Sequence, residues 1–340
     1  MLSSERAQRW LKIVLTIGVS LFFSVLFIRG IDLRKVADSL ADANYLYIVP
    51  GLALFAISLV FRAVRWRYFL LPADDLSWRD LLPSVLIGYA GNNLLPLRAG
   101  ELVRAQHLSD RFRIPRMRTL GALLMERLFD GAVLAAFLLW GLLIAGSGAA
   151  YLSAGVLLAA GAATGFVVCA AMALKPGLPA RIAALPVPLF TPRIRQEIAG
   201  LGGSFQGGFS VLTSFSRFAW ATLASIGAWA FELAMYWFIA EAFKLDASVP
   251  AIALAGAAAN VSLSLPLAQG GVGAFEFAAT KALREFDLEQ NAAAAYSLAL
   301  HFFLIVPVSL VGLAVLWRST LTSSARAAAT APAAVLEARD

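Results

Sequence analysis

Charged and amide side chains inside long apolar runs are the residues best placed for chemistry in this chain. Glu126, Arg127 and Asp130 fall within the run 119–145, two to three turns from its start. Glu126 and Asp130 are four apart and share a helix face. Ionisable groups inside a membrane helix cost about 2.5–3.5 kcal/mol each on insertion scales and face the protein interior or water. Two readings follow, a polar floor for a headgroup cavity or an ion pair that locks a neighbouring segment. A second set surrounds a short run, 83–97, which carries Asn92 and Asn93 and leads into Arg98, Glu101 and Arg104. Guanidinium groups near a broken helix end attract a lipid phosphate; the plainer reading makes them ordinary positive flanks. Glu232, in the middle of the run 218–240, has no obvious local partner, so it is either a carrier of a coupling proton or a neutral hydrogen-bonded acid. Gln269 and Glu276 flank a glycine turn at Gly270, Gly271 and Gly273 and can line a polar path, whereas His301 reads as a satisfied interior histidine.

Several chemistries are excluded. Two histidines and one cysteine (Cys169) give no zinc constellation, no internal disulfide and no redox pair. The glycine turn lacks the Gly-Lys-Ser/Thr ending of a phosphate loop and the flanking strand of a dinucleotide fold. No cofactor is expected, and no nucleic acid partner.

The elements that hold these residues are membrane helices. Of 340 residues 60% are hydrophobic and 14% charged, with a mean hydropathy of +0.76. Soluble domains carry roughly 45–50% apolar and about 25% charged residues. The apolar runs are continuous, which excludes an outer-membrane barrel. Full-length runs at about 11–29, 46–66, 119–145, 150–174, 218–240 and 291–317 predict six spans. The first, preceded by Arg6, Arg9 and Lys12, reads as an uncleaved helix.

Two runs differ. Residues 83–97 and 250–275 are interrupted by Pro83, Pro96, Asn260, Pro266 and the glycines, and irregular backbone at membrane depth must line a cavity or be buried in protein. If both are re-entrant and the N-terminus is inside, 21 Lys/Arg lie on the cytoplasmic side and six outside; if both cross, the split is 11 to 16. The positive-inside rule favours two re-entrant hairpins with both termini in the cytoplasm. Each hairpin passes through asparagine to Pro-x-x-x-Gly and then an acid, as an inverted repeat would. Residues 98–118 read as a basic interfacial helix, 175–217 as a cytoplasmic loop with an interfacial elbow, and 319–340 as a disordered cytoplasmic tail. Residues 1–318 form a single transmembrane domain. The net charge of +7 fits orientation and contact with anionic lipid.

The stretch 92–101, NNLLPLRAGE, resembles the bacterial flippase-like family named after the transmembrane region of lysylphosphatidylglycerol synthases. Its Asn-x-x-x-Pro-x-x-x-Gly-Glu pattern falls on Asn92, Pro96, Gly100 and Glu101, and its Glu-Arg-x-x-Asp on Glu126, Arg127 and Asp130. The later Pro-x-x-x-Gly-Gly-x-Gly-x-x-Glu falls on Pro266, Gly270, Gly271, Gly273 and Glu276. The motifs stand in family order across essentially the whole chain. The synthases append a soluble aminoacyl-transferase domain, and this chain ends after its last helix, so the resemblance implies the lipid-moving part. The family also includes hopanoid-associated proteins and membrane halves of archaeal glycosyltransferases. It implies a flippase of the bacterial inner membrane for an anionic or aminoacylated phospholipid, a hopanoid or a polyprenyl-linked lipid, with a separately encoded lipid-modifying enzyme as a further partner. A glycosyltransferase using a polyprenyl-phosphate donor is the main rival, on Asp32, Asp38 and Asp42 in the first outside loop. A non-transporting scaffold is the third reading. Substrate, direction and oligomeric state stay open.

Overall fold

The computed structural model describes residues 17–71, 75–95, 98–146, 149–175, 192–264 and 269–329. Among them the regular backbone is helical, without strands. In chain order the helices are α1 (Ile17–Ile28), α2 (Leu33–Ala41), α3 (Ile48–Leu70), α4 (Trp78–Leu94), α5 (Gly100–Phe112) and α6 (Arg116–Ala145). Then come α7 (Ala149–Leu174), α8 (Pro192–Gly207), α9 (Phe215–Ala242), α10 (Val249–Ser264), α11 (Ala274–Arg284) and α12 (Gln290–Ala329). Five stretches are long and apolar enough to cross a membrane: Tyr45–Leu70, Arg116–Ala145, Tyr151–Leu174, Phe215–Ala242 and Gln290–Leu321. These match five of the six expected spans. Of the first run only the 12 residues of α1 belong to an apolar helix among the described residues, because 11–16 lie outside them.

The two interrupted runs form helix pairs, and the first is larger than its apolar core predicts. Its first arm, α4, begins five residues before Pro83, because Ser77 and Asp80 form a capping box: Asp80 Oδ2 accepts the Ser77 N–H at 3.1 Å, and Ser77 Oγ accepts the Asp80 N–H at 3.3 Å. After a short link the chain folds back as α5. Ser84 Oγ meets His107 Nδ1 at 2.8 Å, Gly88 lies against Arg104, and Gly91 lies against Gly100, so the arms are antiparallel. Only glycine permits the tip. A Cβ on Gly100 would lie 2.2 Å from the Asn92 nitrogen and 2.3 Å from the Gly88 carbonyl oxygen. Residues 98–112 are therefore the returning arm of a hairpin and not a helix lying on the surface, as six arginines between 98 and 118 led us to expect. Arg111, Arg113 and Arg116 are exposed, but Arg104 is buried.

The second pair is α10 and α11, packed on each other and joined through the 3-10 turn Gln269–Gly271. Gly270, Gly271 and Gly273 adopt φ of +57°, +75° and +84°, a region costly for residues with a Cβ. At roughly 1.5 Å per residue each arm of both pairs is shorter than a hydrocarbon core of about 30 Å. Pro96 and Pro266 lie outside the described residues, as do 176–191 of the expected cytoplasmic loop and 330–340 of the expected tail. The described part of that loop holds α8, the 3-10 turn Ser210–Thr213 and the start of α9, and α12 continues through the first part of the tail to Ala329.

The packing is reciprocal. Helix α3 lies along α9, α4 packs on α12, and α10 packs on α6. One core cluster joins Phe55, Leu138, Trp229, Tyr236, Leu254, Phe275 and Leu300; a second joins Trp66, Phe69, Leu81, Leu108 and Phe129. Large apolar side chains such as Leu143, Leu157, Phe215 and Trp317 point outward, as a lipid-facing surface requires.

Candidate functional site

Between the two cores runs a buried chain of charges. Helix α3 supplies Arg62 and Arg65, three apart and so on one face. Arg65 is fully buried; its Nη1 donates to Asp130 Oδ1 at 2.7 Å and its Nη2 to Glu126 Oε1 at 2.8 Å. Arg62 Nη2 donates to Glu232 Oε2 at 2.6 Å, and its Nη1 lies 3.7 Å from Asp130 Oδ1. From the hairpin, Arg104 Nη1 donates to Glu126 Oε2 at 3.0 Å. Indole N–H groups complete the carboxylates' shells, Trp66 to Glu126 at 3.1 Å and Trp229 to Asp130 at 2.9 Å. Arg62, Arg65 and Arg104 thus balance Glu126, Asp130 and Glu232, which is the condition for charges to persist in a low-dielectric interior.

Glu232, for which the sequence offered no obvious local partner, has several in the structure. Besides Arg62, it accepts from the Tyr236 hydroxyl at 2.5 Å and the Ser58 hydroxyl at 3.5 Å, and Asn260 Nδ2 donates to that tyrosine at 2.9 Å. A guanidinium and two hydroxyls therefore surround this carboxyl group. Arg62 and Arg65 escaped the sequence reading because they fall near the end of the run 46–66, where positive flanks are ordinary. A signal was present: their three-residue spacing, next to Trp66, marks a helix face carrying two guanidinium groups.

On the side of the network facing α4 and α5 a small cleft of about 10 Å³, room for a water-sized group, is lined by Gly88, Tyr89, Asn92, Glu101, Arg104, Glu126 and Arg127. Arg127 Nη2 donates to Glu101 Oε1 at 2.6 Å at its rim, both half-buried. Arg104 is 4% exposed and stacks its guanidinium 3.7 Å from the Trp66 ring centroid. Its Nη2 and Nε have no hydrogen-bond partner among the described residues, and neither does the buried Oδ1 of Asn92. Two residues that line the cleft, Arg104 and Asn92, therefore carry an unspent donor and an unspent acceptor.

The remaining expected residues lie elsewhere. Asn93 Nδ2 donates to Ser309 Oγ at 3.0 Å, and Arg98, at φ +55°, donates from Nη1 to the Leu263 carbonyl at 2.6 Å. Arg98 thus ties one hairpin to the other. Glu276 and His301 meet at the glycine turn, Nδ1 to Oε1 at 2.6 Å, while Gln269 contributes backbone to the turn and its side chain lies outside the description. Glu126, Arg104, Glu101, Arg127 and Asn92 come together; Glu232 joins through Arg62; Glu276, Gly270 and Gly271 form a separate group. Among the described residues no group of three His, Cys, Asp or Glu could hold a metal.

Fold and site together define a multi-pass helical membrane protein built around a buried ion network. The chain belongs to the family described as the lysylphosphatidylglycerol synthase TM region, which matches residues 10–312. It is 27% identical over 310 residues to a protein named glycosyltransferase AglD of Haloferax volcanii, covering 81% of this chain and 49% of that protein. It is 26% identical over 125 residues to the UPF0104 membrane protein MJ1595 of Methanocaldococcus jannaschii, covering 36% of this chain and 37% of that one. The chain thus spans half or less of the curated relatives it matches. No solved structure matches it.

Proposed function

We propose that this protein moves an amphipathic lipid between the leaflets of a bacterial inner membrane, with the headgroup engaged at the small cleft between the α4–α5 hairpin and α6, which opens further to admit it. The observation that carries this reading is Arg104, a buried guanidinium with an unpartnered Nη2, beside the unpartnered Oδ1 of Asn92. A buried polar atom left without a partner costs about 1–3 kcal/mol. A ligand that supplies both an anionic oxygen and a hydroxyl or ammonium would recover that cost. A phosphate-bearing headgroup with a sugar, glycerol or aminoacyl substituent has both; a hopanoid has no phosphate. The acyl or prenyl tails stay in lipid.

The two short helix pairs support a re-entrant reading. With α3–α6 matched to α9–α12, the α4–α12 and α10–α6 contacts become equivalents of each other, as in an inverted repeat. Both termini are then cytoplasmic. The relative named as a glycosyltransferase favours a second reading, polyprenyl-phosphate-dependent transfer using Asp32, Asp38 and Asp42. Against it, Asp32 is used as the N-cap of α2, accepting from the Arg34 and Lys35 N–H groups. A separately encoded lipid-modifying enzyme remains a natural supplier of substrate.

The test is reconstitution in vesicles containing fluorescent NBD-phosphatidylglycerol, read by dithionite bleaching. The flippase reading expects wild type to expose inner-leaflet probe and Arg104→Lys to slow it, with Asp32→Asn/Asp42→Asn unchanged. Full activity of Arg104→Lys would remove the cleft from the pathway. Loss of function in the aspartate variant alone would favour transfer.

A further inference from the structure

The Glu276–His301 pair holds the glycine turn through three hydrogen-bonded contacts. His301 Nε2 lies 2.9 Å from the Gly270 carbonyl oxygen, His301 Nδ1 lies 2.6 Å from Glu276 Oε1, and Glu276 Oε2 accepts the Gly273 N–H at 2.8 Å. A carbonyl oxygen only accepts, so Nε2 must carry a hydrogen. A neutral imidazole has a single N–H. Its Nδ1 would then be bare, facing a carboxylate oxygen at hydrogen-bond distance with a lone pair on each side. The contact closes only if a second hydrogen lies between them, either on Nδ1 of an imidazolium or on the acid. Both arrangements hold one proton more than a neutral histidine beside an ionised glutamate. We propose that Glu276 and His301 form a proton-binding site whose proton latches the glycine turn 270–273, and that its release frees one end of the turn.

The surroundings isolate this proton. Glu276 and His301 are 6% and 4% exposed, and Phe275 stacks on the imidazole with centroids 4.3 Å apart and planes 12° from parallel. Helix α1 brings Ser20 and Ser24 against Gly273, α10 brings Leu263 against Gly271, and the end of α4 brings the Asn93 carbonyl against Gly270. Neither α10 nor α1 contains a charged residue. The charges on the packed elements are Arg98, spent on the Leu263 carbonyl and Glu101; Lys281, over the Phe277 ring; Arg284, in the last turn of α11; Arg79 and Asp80, in the first turn of α4; and Arg318 and Arg326, far along α12. Among the described side chains, none of these charges is hydrogen bonded to the pair.

The other hairpin has a counterpart with fixed charge. Arg127 is the twelfth residue of α6 and His301 the twelfth of α12, and each engages a glutamate in the first turn of the preceding arm, Glu101 or Glu276. Both contacts are 2.6 Å. A guanidinium keeps its proton at any pH a cell meets, whereas an imidazole does not. One hairpin is thereby held permanently and the other conditionally. This inference is independent of which lipid the cleft carries.

Two measurements test it on the full chain in detergent. The chain has two histidines, His107 and His301, so the ring signals of ¹⁵N-histidine-labelled protein are assigned by comparison with His107→Gln. The expected spectrum at neutral pH shows either both His301 nitrogens protonated or an Nε2-protonated ring whose bare Nδ1 carries the shift of an accepted hydrogen bond from the Glu276 carboxyl, with that signature lost on alkaline titration. A singly protonated imidazole whose other nitrogen accepts no hydrogen bond at neutral pH, or one protonated on Nδ1 alone, would overturn the proposal. The second is hydrogen exchange of the segment 269–277 in wild type and Glu276→Gln. Glutamine keeps both contacts without a titratable proton, donating to Nδ1 and accepting from Gly273. Exchange in wild type relative to this variant should rise roughly two- to tenfold across the titration, as for one lost hydrogen bond. A ratio independent of pH would also overturn it, and the nitrogen spectrum decides the matter should the variant fail to fold.

Discussion

Arg62 on α3 and Glu232 on α9 are 170 residues apart in sequence and 2.6 Å apart in space. Their contact closes the ion network at the α3–α9 interface, where the guanidinium also lies 5.0 Å from the Trp229 ring centroid. Glu232→Leu would leave Arg62 with only the more distant Asp130. We expect a destabilisation of about 3–5 kcal/mol, the usual result of orphaning a buried charge. Arg62→Met together with Glu232→Leu should recover most of it. Thermal unfolding in detergent checks both; equal losses in the single and double variants would refute the pairing as a stabilising unit.

The tip of the first hairpin gives a steric prediction. Gly100→Ala places a Cβ within 2.5 Å of three backbone atoms of the facing arm. Backbone cannot yield as a flexible side chain can, so the loss should exceed about 3 kcal/mol, in the tail of single-substitution effects. Gly203→Ala in α8, where nothing lies within 4 Å of the new methyl, should instead be neutral or stabilise by up to about 1 kcal/mol. Unfolding midpoints of the two variants should move in opposite directions or differ widely.

These two cases divide what the sequence made legible from what it did not. Glu126 and Asp130 were readable because their spacing of four within one apolar run is a local fact. So were the interruptions around Asn92 and Gly270, because proline and glycine act on their own helix. Glu232's partner was not readable, since ion pairing between α3 and α9 depends on tertiary contact. The six arginines of 98–118 misled for the same reason. Composition calls them interfacial, yet the Gly88–Arg104 and Gly91–Gly100 approaches turn one arginine of the set inward.

His107 supplies a pH prediction outside the spanning helices. Burial, and then the nearby Arg111 guanidinium, hold its imidazole below the ordinary value, with Asp110 acting in the opposite direction. The unfolded chain therefore takes up this proton first. Stability from the neutral His107–Ser84 contact is full above about pH 6.5 and is lost as pH falls below it. His107→Gln should lessen the acid-side fall of the unfolding temperature. An unchanged acid limb would place the pH sensitivity elsewhere.

Arg98 should couple the hairpins without holding charge in the network. Arg98→Ala removes its bond to the Leu263 carbonyl and its approach to Glu101 at 3.6 Å, both at partly exposed positions. The expected stability loss is small, about 0.5–1.5 kcal/mol for one hydrogen bond. The effect on lipid movement should be larger than this, because the two hairpin tips lose a shared tie. Comparing unfolding with dithionite bleaching rates in the same preparation separates the two.

The central claim is that Arg104, through its unspent Nη2, holds a phosphate-bearing headgroup. Lysine at 104 keeps a charge against Glu126 but lacks the planar fork of donors. The most direct test is mass spectrometry of the lipids that co-purify with wild type and with Arg104→Lys. The account predicts a single phosphate-bearing lipid class enriched on wild type and depleted on the variant, with both proteins equally folded. Bulk phospholipid alone on wild type, or an enriched lipid that Arg104→Lys retains in full, would contradict it.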